Sequence, residues 1–417
     1  MGGIRIGYLV PQFPGQTHAF FWREIAELER LGAEVAVFST RLPPPALIAH
    51  DWSERAIART TYLGPPGIAG GLVALAGIAP ALWAEARAGG FARDLLLCAD
   101  PARRLARLCA RRGVAHLHVH SCGRAALVAA LARTRFGGVP YGLTLHGPLT
   151  DYGPGQGLKW RAAAFGTVIT RKLMGEVAAL LGPEIAGRCV VQAMGVDTAR
   201  FTRVAPYAPP APGAPFRIFA CGRLNPVKGH AELAGAVALL AARGVDARLV
   251  IAGEDDDGGG GYRRALEARI DELGIADRVE LLGAVGEAEI RARLSAAQVF
   301  ALASWHEPLG VAYMEAMSCG VPVVGTDAGG VRELIADGES GVLVPPRDPE
   351  ALARALAALA ADPGRCRELG AAGRARVVAG FDSRLGARLI LERAEAAARE
   401  AARPDPRSGD LALEARP

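Results

Sequence analysis

Short apolar runs alternate along the chain with stretches whose apolar positions recur every three or four residues. IRIGYLV (4–10) precedes FFWREIAELERLG (20–32) and AEVAVFST (33–40), and the alternation returns in HLHVH (116–120), ALVAALART (126–134) and YGLTLHG (141–147). An apolar run bounded by turn residues suits a strand buried on both faces, and the intervening period suits helices that cover it. Strand and helix in alternation predict parallel α/β architecture.

The pattern breaks once. Residues 205–215 (APYAPPAPGAP) hold five prolines in eleven residues, too stiff and too poor in N–H donors for the interior of an element, so they read as a linker. Beyond it the alternation restarts with FRIFACG (216–222), HAELAGAVALLAARG (230–244), ARLVIAG (247–253), RVELLGAV (278–285), QVFALAS (298–304), VPVVGT (321–326) and GVLVPP (341–346). The expectation is two doubly wound, Rossmann-like domains, 1–206 and 216–380, joined by a linker at 207–215. A helix over 381–400 and a loose tail at 401–417 follow. At 417 residues the chain is long enough for two such domains, and two domains imply a cleft.

Composition narrows the class. Hydrophobic residues make up 51% and charged residues 22%, as in packed globular chains, so disorder is excluded as the default. The net charge of +5 is spread along the chain and demands no nucleic-acid partner. Seven scattered cysteines without a CxxC spacing argue against a zinc site and for a reducing, cytoplasmic setting. The opening MGGIRIGYLV reads as a first strand and not as a signal peptide. Residues 60–84 carry no charge but are broken by Gly70, Gly71, Gly77 and Pro80, and they read as a buried or membrane-touching helix.

Three clusters carry candidate chemistry. The densest is SWHEPLGVAYMEAMSCGVPVVGTDAGG (304–330), in which Glu307 and Glu315 flank Pro308-Leu309-Gly310. That tripeptide suits a loop feeding a helix with Pro in its first turn, which puts Glu307 before the helix and Glu315 two turns along it. The helix N-terminus would favour a phosphate by roughly 0.3–1 kcal/mol, more in a dry cleft, and the carboxylates could hold sugar hydroxyls. Alone, such a Glu pair is more often solvated. The second cluster, CGRLNPVKGH (221–230), puts Arg223 and Lys228 on a strand-to-helix loop, at the strand end where open α/β sheets bind ligands. Two fixed cations there would stabilise the charge that grows on a departing diphosphate. No G-x-G-x-x-G is present, which counts against a dinucleotide dehydrogenase. The third cluster is His118, His120 and His146 at predicted strand ends. A His-x-His strand points both rings to one face, and His118 reads as structural. The acidic run 254–261 reads as a solvated loop, and no metal site is assigned.

Taken together, these motifs resemble glycosyltransferase family 4. The stretch 304–330, with GVPVVGTDAGGVRELI and DGESGVLVPPRDPEALA, is similar to its E-x7-E segment, and CGRLNPVKGH to its GR-x4-KG pattern. The resemblance spans about residues 4–390 and is strongest over 216–350. It implies two facing Rossmann-like domains of the GT-B type, the last helix crossing back to the first, with acceptor bound mainly by the first domain and nucleotide sugar by the second. It implies retaining transfer without metal or other cofactor, from a donor whose base is expected, from family frequency, to be uracil (UDP-sugar). Within that frame Arg223 and Lys228 take the diphosphate, Glu307 the donor sugar, Glu315 the ribose, and the amides of Gly310 and Val311 the sugar and diphosphate. His146, in TLH, is expected on the donor sugar, and Gly15 near the donor phosphate. Thr17, His18 and His120 are the acceptor-side candidates. THAFF (17–21) stands where exopolysaccharide-type members carry SETFI, so the acceptor stays open: a saccharide, a lipid-linked saccharide at a membrane surface, or a small aglycone as in natural-product transferases. A catalytically silent sugar-nucleotide-binding protein on the same fold is the rival of another class.

Overall fold

The computed structural model describes residues 3–15, 19–43, 51–65, 67, 71–72, 80–255 and 261–403. Seven parallel strands build the first sheet: β1 (Arg5–Gln12), β2 (Glu34–Arg41), β3 (Thr61–Tyr62), β4 (His116–His120), β5 (Tyr141–Leu145), β6 (Phe165–Val168) and β7 (Cys189–Val191), in the order β3-β2-β1-β4-β5-β6-β7. Six more form the second: β8 (Phe216–Cys221), β9 (Ala247–Ala252), β10 (Val279–Gly283), β11 (Val299–Ala301), β12 (Val323–Thr326) and β13 (Val342–Val344), in the order β10-β9-β8-β11-β12-β13. Each order reverses direction once, at β1/β4 and at β8/β11. At such a switch point the loops leaving neighbouring strands run to opposite sides and open a crevice.

Period-two alternation explains how a sheet buried on both faces is filled. In β1, Tyr8 and Val10 enter one core with Ile6, Phe21 and Ile25, while Leu9 enters the other with Phe38, Leu117 and Leu143. The helices that matter below are α1 (Ala19–Arg30), α2 (Arg171–Leu181), α3 (His230–Ala242), α4 (Val311–Ser318) and α5 (Ser383–Ala401). Helix α5 adds Ala387, Ile390 and Ala394 to the core of Ile6, Tyr8 and Phe21, so the last helix completes the first sheet.

The stretch 60–84 departs from a single helix. Thr61–Tyr62 forms the edge strand β3 and Pro80 opens a new helix, while 66, 68–70 and 73–79 lie outside the described residues. Among the described residues no helix is long and apolar enough to cross a membrane. The seven cysteines are free thiols.

The chain passes between the domains at two neighbouring places. Val196 N–H donates to the Phe381 carbonyl at 2.9 Å, and Ser383 N–H donates to the Val196 carbonyl at 2.9 Å. Asp382 caps α5 there, accepting the Arg384 amide at 2.9 Å and the Thr198 hydroxyl. Burial alone would push this carboxyl up, but hydrogen bonds from Arg384 and Thr198 outweigh it and hold it below its usual value. A depressed carboxyl contributes stability above its unfolded pKa of about 3.9 and loses it as pH falls through the folded value. Asp382→Ala is expected to cost about 1–3 kcal/mol at neutral pH, since it removes both the cap and the acceptor of a buried hydroxyl. Urea unfolding of the two chains checks this, and equal midpoints at neutral pH would contradict it. On the far side, the Glu333 carboxylate accepts the Arg171 and Lys172 amides at 2.6 and 3.0 Å, so a second-domain acid caps α2 of the first domain.

Candidate active site

The loops leaving β8 and β11 meet at the second sheet's switch point, and their backbones are joined. After β8, the Asn225 side chain accepts the Lys228 amide at 3.2 Å and sets a tight turn. Gly229 closes it at φ 66°, where a Cβ would fall inside the Ala303 carbonyl, so only glycine lets the two loops approach this closely. Trp305 N–H donates to the Val227 carbonyl at 2.8 Å and completes the join. Burial pushes His230 down to about 4 and keeps it neutral, so with the proton on Nε2 it donates to the Arg223 carbonyl at 3.2 Å. Arg223 and Lys228 are thereby set on a scaffold before any ligand arrives.

Downstream of β11, Glu307 is buried, with its Oε2 2.5 Å from Lys228 Nζ and 3.4 Å from Ser304 Oγ. Gly310 then turns the chain at φ 101° and caps α4. Here the structure corrects the sequence reading. The helix starts at Val311 and not at Pro308, so Glu315 stands one turn along it, not two. Burial pushes the Glu315 carboxyl up, the Arg23 guanidinium draws it back, and the net direction is upward.

These groups line one cavity of about 390 Å³ between the domains. Arg223, Lys228, Glu307, Gly310, Val311 and Glu315 face it from the second domain, and Ala19, Phe20, Arg23 and Phe201 from the first. The cavity therefore combines three cations, a helix N-terminus and three carboxylates, Arg23 and Glu287 among them. A diphosphate fits the first two and a pair of polyhydroxylated rings the last.

The first-domain candidates divide. His146, half-buried, does not line this cavity; its ring lies 5.7 Å from that of Phe20, which does. Gly15 is buried and also off the lining, while Thr17 and His18 lie outside the described residues. His120 is corrected as an acceptor contact. It has no exposed surface, packs against Tyr8 and Phe21 at 4.4 and 4.9 Å, and meets Glu24 at 3.0 Å through Nε2 and His146 Nε2 at 3.1 Å through Nδ1. His118 meets the Thr144 hydroxyl at 2.8 Å, and burial holds it well below the ordinary histidine range. At the acidic run, the Asp255 carboxylate accepts the Gly261 and Arg263 amides at 3.1 and 3.0 Å, and 256–260 lie outside the described residues. Among the described residues no three His, Cys, Asp or Glu side chains converge as a metal set.

Sequence reasoning missed Arg23, Glu287 and Phe201. Arg23 Nη2 lies 2.7 Å from Glu315 Oε1 and 3.4 Å from Glu287 Oε2, and its guanidinium centre sits 4.7 Å over the Phe201 ring. On a helical wheel at about 100° per residue, Arg23 falls about 200° from Phe21, on the face where solvent is expected. The second domain covers that face, and no periodicity in α1 announces it.

Two parallel α/β domains that face each other across a cleft, with the polar groups at the switch point, define the GT-B class. The glycosyl transferases group 1 model matches residues 207–376 and the glycosyl transferase 4-like domain residues 17–207, and the chain belongs to this glycosyl transferase group 1, family 4-like lineage. It is 37% identical over 176 residues to the putative colanic acid biosynthesis glycosyltransferase WcaL of Salmonella typhimurium, covering 41% of each chain. To the GDP-mannose-dependent α-(1-6)-phosphatidylinositol monomannoside mannosyltransferase of Mycolicibacterium smegmatis it is 32% identical over 227 residues, covering 50% of this chain and 56% of that one. The chain thus spans about half the length of these curated relatives. Among solved structures, Anabaena HepE in complex with UDP-glucose superposes with a TM-score of 0.72 at 20% identity, covering 93% of this chain and 98% of that one, a likeness of fold.

Proposed function

We propose that the protein is a hexosyltransferase that moves a sugar from a nucleoside-diphosphate donor to a hydroxyl of a saccharide or lipid-linked saccharide, with retention and without metal. The observation that carries this reading is the convergence of Arg223, Lys228, the α4 N-terminus, Glu307 and Glu315 on one interdomain cavity. The diphosphate takes the two cations and the Gly310 and Val311 amides, Glu315 the ribose, and Glu307 the donor sugar. As the glycosidic bond breaks, charge accumulates on the leaving phosphate, and the cations stabilise that charge more than the bound ground state. The same phosphate oxygen then takes the acceptor proton, following the family resemblance. The family resemblance assigns His146, whose ring lies 5.7 Å from that of the cavity-lining Phe20, a first-domain contact to the donor sugar, and the first domain also holds the acceptor. A saccharide acceptor is favoured by the similarity to a relative named for colanic acid biosynthesis. Free thiols throughout fit a reducing compartment.

Thermal unfolding with UDP-glucose, GDP-mannose and ADP-glucose tests the donor class. One is expected to raise the midpoint, because a ligand at 100 times its dissociation constant contributes about 2.7 kcal/mol. Failure of UDP-, GDP- and ADP-sugars alike to shift the midpoint would overturn the reading. UDP-glucose is the first candidate, since the similarly folded HepE was solved with it.

A further inference from the structure

Helix α1 buries a carboxylate that the donor cavity does not use. Glu24 is 2% exposed and is not among the groups lining that cavity. Its Oε2 accepts the Tyr8 hydroxyl at 2.7 Å and lies 3.0 Å from Nε2 of His120. Tyr8 supplies no countercharge, because burial and Glu24 itself hold its phenol well above the ordinary range. The neighbouring core positions of the same helix are Phe21, Ile25 and Leu28, so an apolar side chain would have filled this place at less cost. On its other side, His120 Nδ1 is 3.1 Å from Nε2 of His146, and the two rings stack at 5.4 Å and 28°. Carboxylate, buried imidazole and half-buried imidazole therefore follow one another from core towards cleft. The approach of His120 to Glu24 is an ion-pair contact, not an aligned hydrogen bond, yet it decides where the proton sits. A ring lone pair facing a buried carboxylate oxygen at 3.0 Å would be strongly repelled, so the neutral ring of His120 carries its proton on Nε2. Nδ1 is then an acceptor, and His146 must donate to it from Nε2.

We propose that Glu24 is a positioning residue for glycosyl transfer: acting through His120, it holds His146 in one orientation and one tautomer beside the donor sugar. The proposal rests on the reading above that puts His146 on that sugar. The spacing along α1 agrees. Phe20 and Glu24 are four residues apart and share a face of the helix, and the rings of Phe20 and Phe21 each lie 5.7 Å from that of His146. The same helix thus bounds the imidazole with two aromatic rings and, through His120, fixes the proton on its Nε2. His118, the other histidine on this face of β4, takes no part, since its Nε2 is engaged by the Thr144 hydroxyl at 2.8 Å.

Heteronuclear NMR of the histidine side chains, with His120→Gln and His146→Ala to assign the signals, reads the tautomers without substrate. The wild type is expected to carry the His146 proton on Nε2. Glu24→Gln, which keeps an acceptor for Tyr8 but removes the charge, is expected to populate both tautomers of His146. Turnover is followed as release of nucleoside diphosphate from whichever of UDP-glucose, GDP-mannose and ADP-glucose the wild type uses. There Glu24→Gln is expected to lower kcat about 10- to 100-fold, as loss of a partner that orients a histidine does, and to leave KM for the donor within about twofold. His120→Gln is expected to match it, and the double variant to lose no more than either single one, because the two residues act in series. His120→Gln also supplies the comparison should Glu24→Gln fail to fold. A wild-type His146 proton on Nδ1, an unchanged His146 spectrum in Glu24→Gln, or unchanged kcat in a folded variant overturns the proposal. Full activity in His146→Ala overturns the donor-sugar role on which it rests. Absence of diphosphate release by the wild type overturns the functional reading itself, while the substrate-free spectra still decide whether Glu24 sets the tautomer.

Discussion

Lys228→Ala is expected to lower turnover by about 10²–10³, the usual worth of one well-placed donor to transition-state charge. The lysine is already held in place. Asn225 fixes its amide, Gly229 fixes the turn after it, and Glu307 holds its ammonium at 2.5 Å, so little reorganisation precedes the reaction. Charge develops on the leaving diphosphate only as the bond breaks, so the loss should fall mainly on kcat. Arg223→Ala is expected to act in the same direction. Because the proposed site draws its positive field from Lys228, Arg223 and the α4 amides, the wild type is expected to keep its activity in excess EDTA. Loss on chelation restored by Mg²⁺ or Mn²⁺ would contradict that assignment, and unchanged turnover in folded Lys228→Ala would remove the lysine from the mechanism.

Glu307→Gln is expected to reduce turnover by about 10² without trapping a glycosyl-enzyme. Its carboxylate is buried, shared between Lys228 and Ser304, and set just before the helix N-terminus. A carboxylate so paired suits the proposed binding of sugar hydroxyls better than nucleophilic attack, whereas double displacement through it would leave a glycosyl ester. Intact-protein mass spectrometry during turnover is expected to show no adduct, and an α-configured donor to give an α-linked product. A β-linked product by NMR would overturn retention and require a general base from the first domain, with His18 and Asp151 the first to replace. Asp151 is exposed in the turn after β5, open to such a role.

Much of this arrangement was legible because long apolar runs have few alternatives. β1, β2, β4, β5 and β8 through β13 were each read from such a run, and the proline-rich break from its composition. β6 and β7 were not, because FGTV and CVV are too short to separate from loops by periodicity. The start of α4 was misplaced because Pro308 suits a first helical turn, while Gly310, by adopting a positive φ, decides where the turn begins. His120 was set too near the cleft because a strand end marks only the level of a side chain, and Tyr8 and Phe21 close over it from other elements. Arg23 lay beyond any local reading. Its burial comes from the second domain, and its partners Glu287 and Glu315 are 264 and 292 residues away.

The placement of α5 sets an order of events during synthesis. A ribosome emits the first sheet and α1 early, but the core of Ile6, Tyr8 and Phe21 lacks its last covering side chains, Ala387, Ile390 and Ala394, until residues 383–401 emerge. The second domain draws its strands from one continuous stretch, 216–344, and closes without waiting for that last helix. The first half to be made is therefore the last to be sealed, and apolar surface left open in such an interval is the kind that favours aggregation.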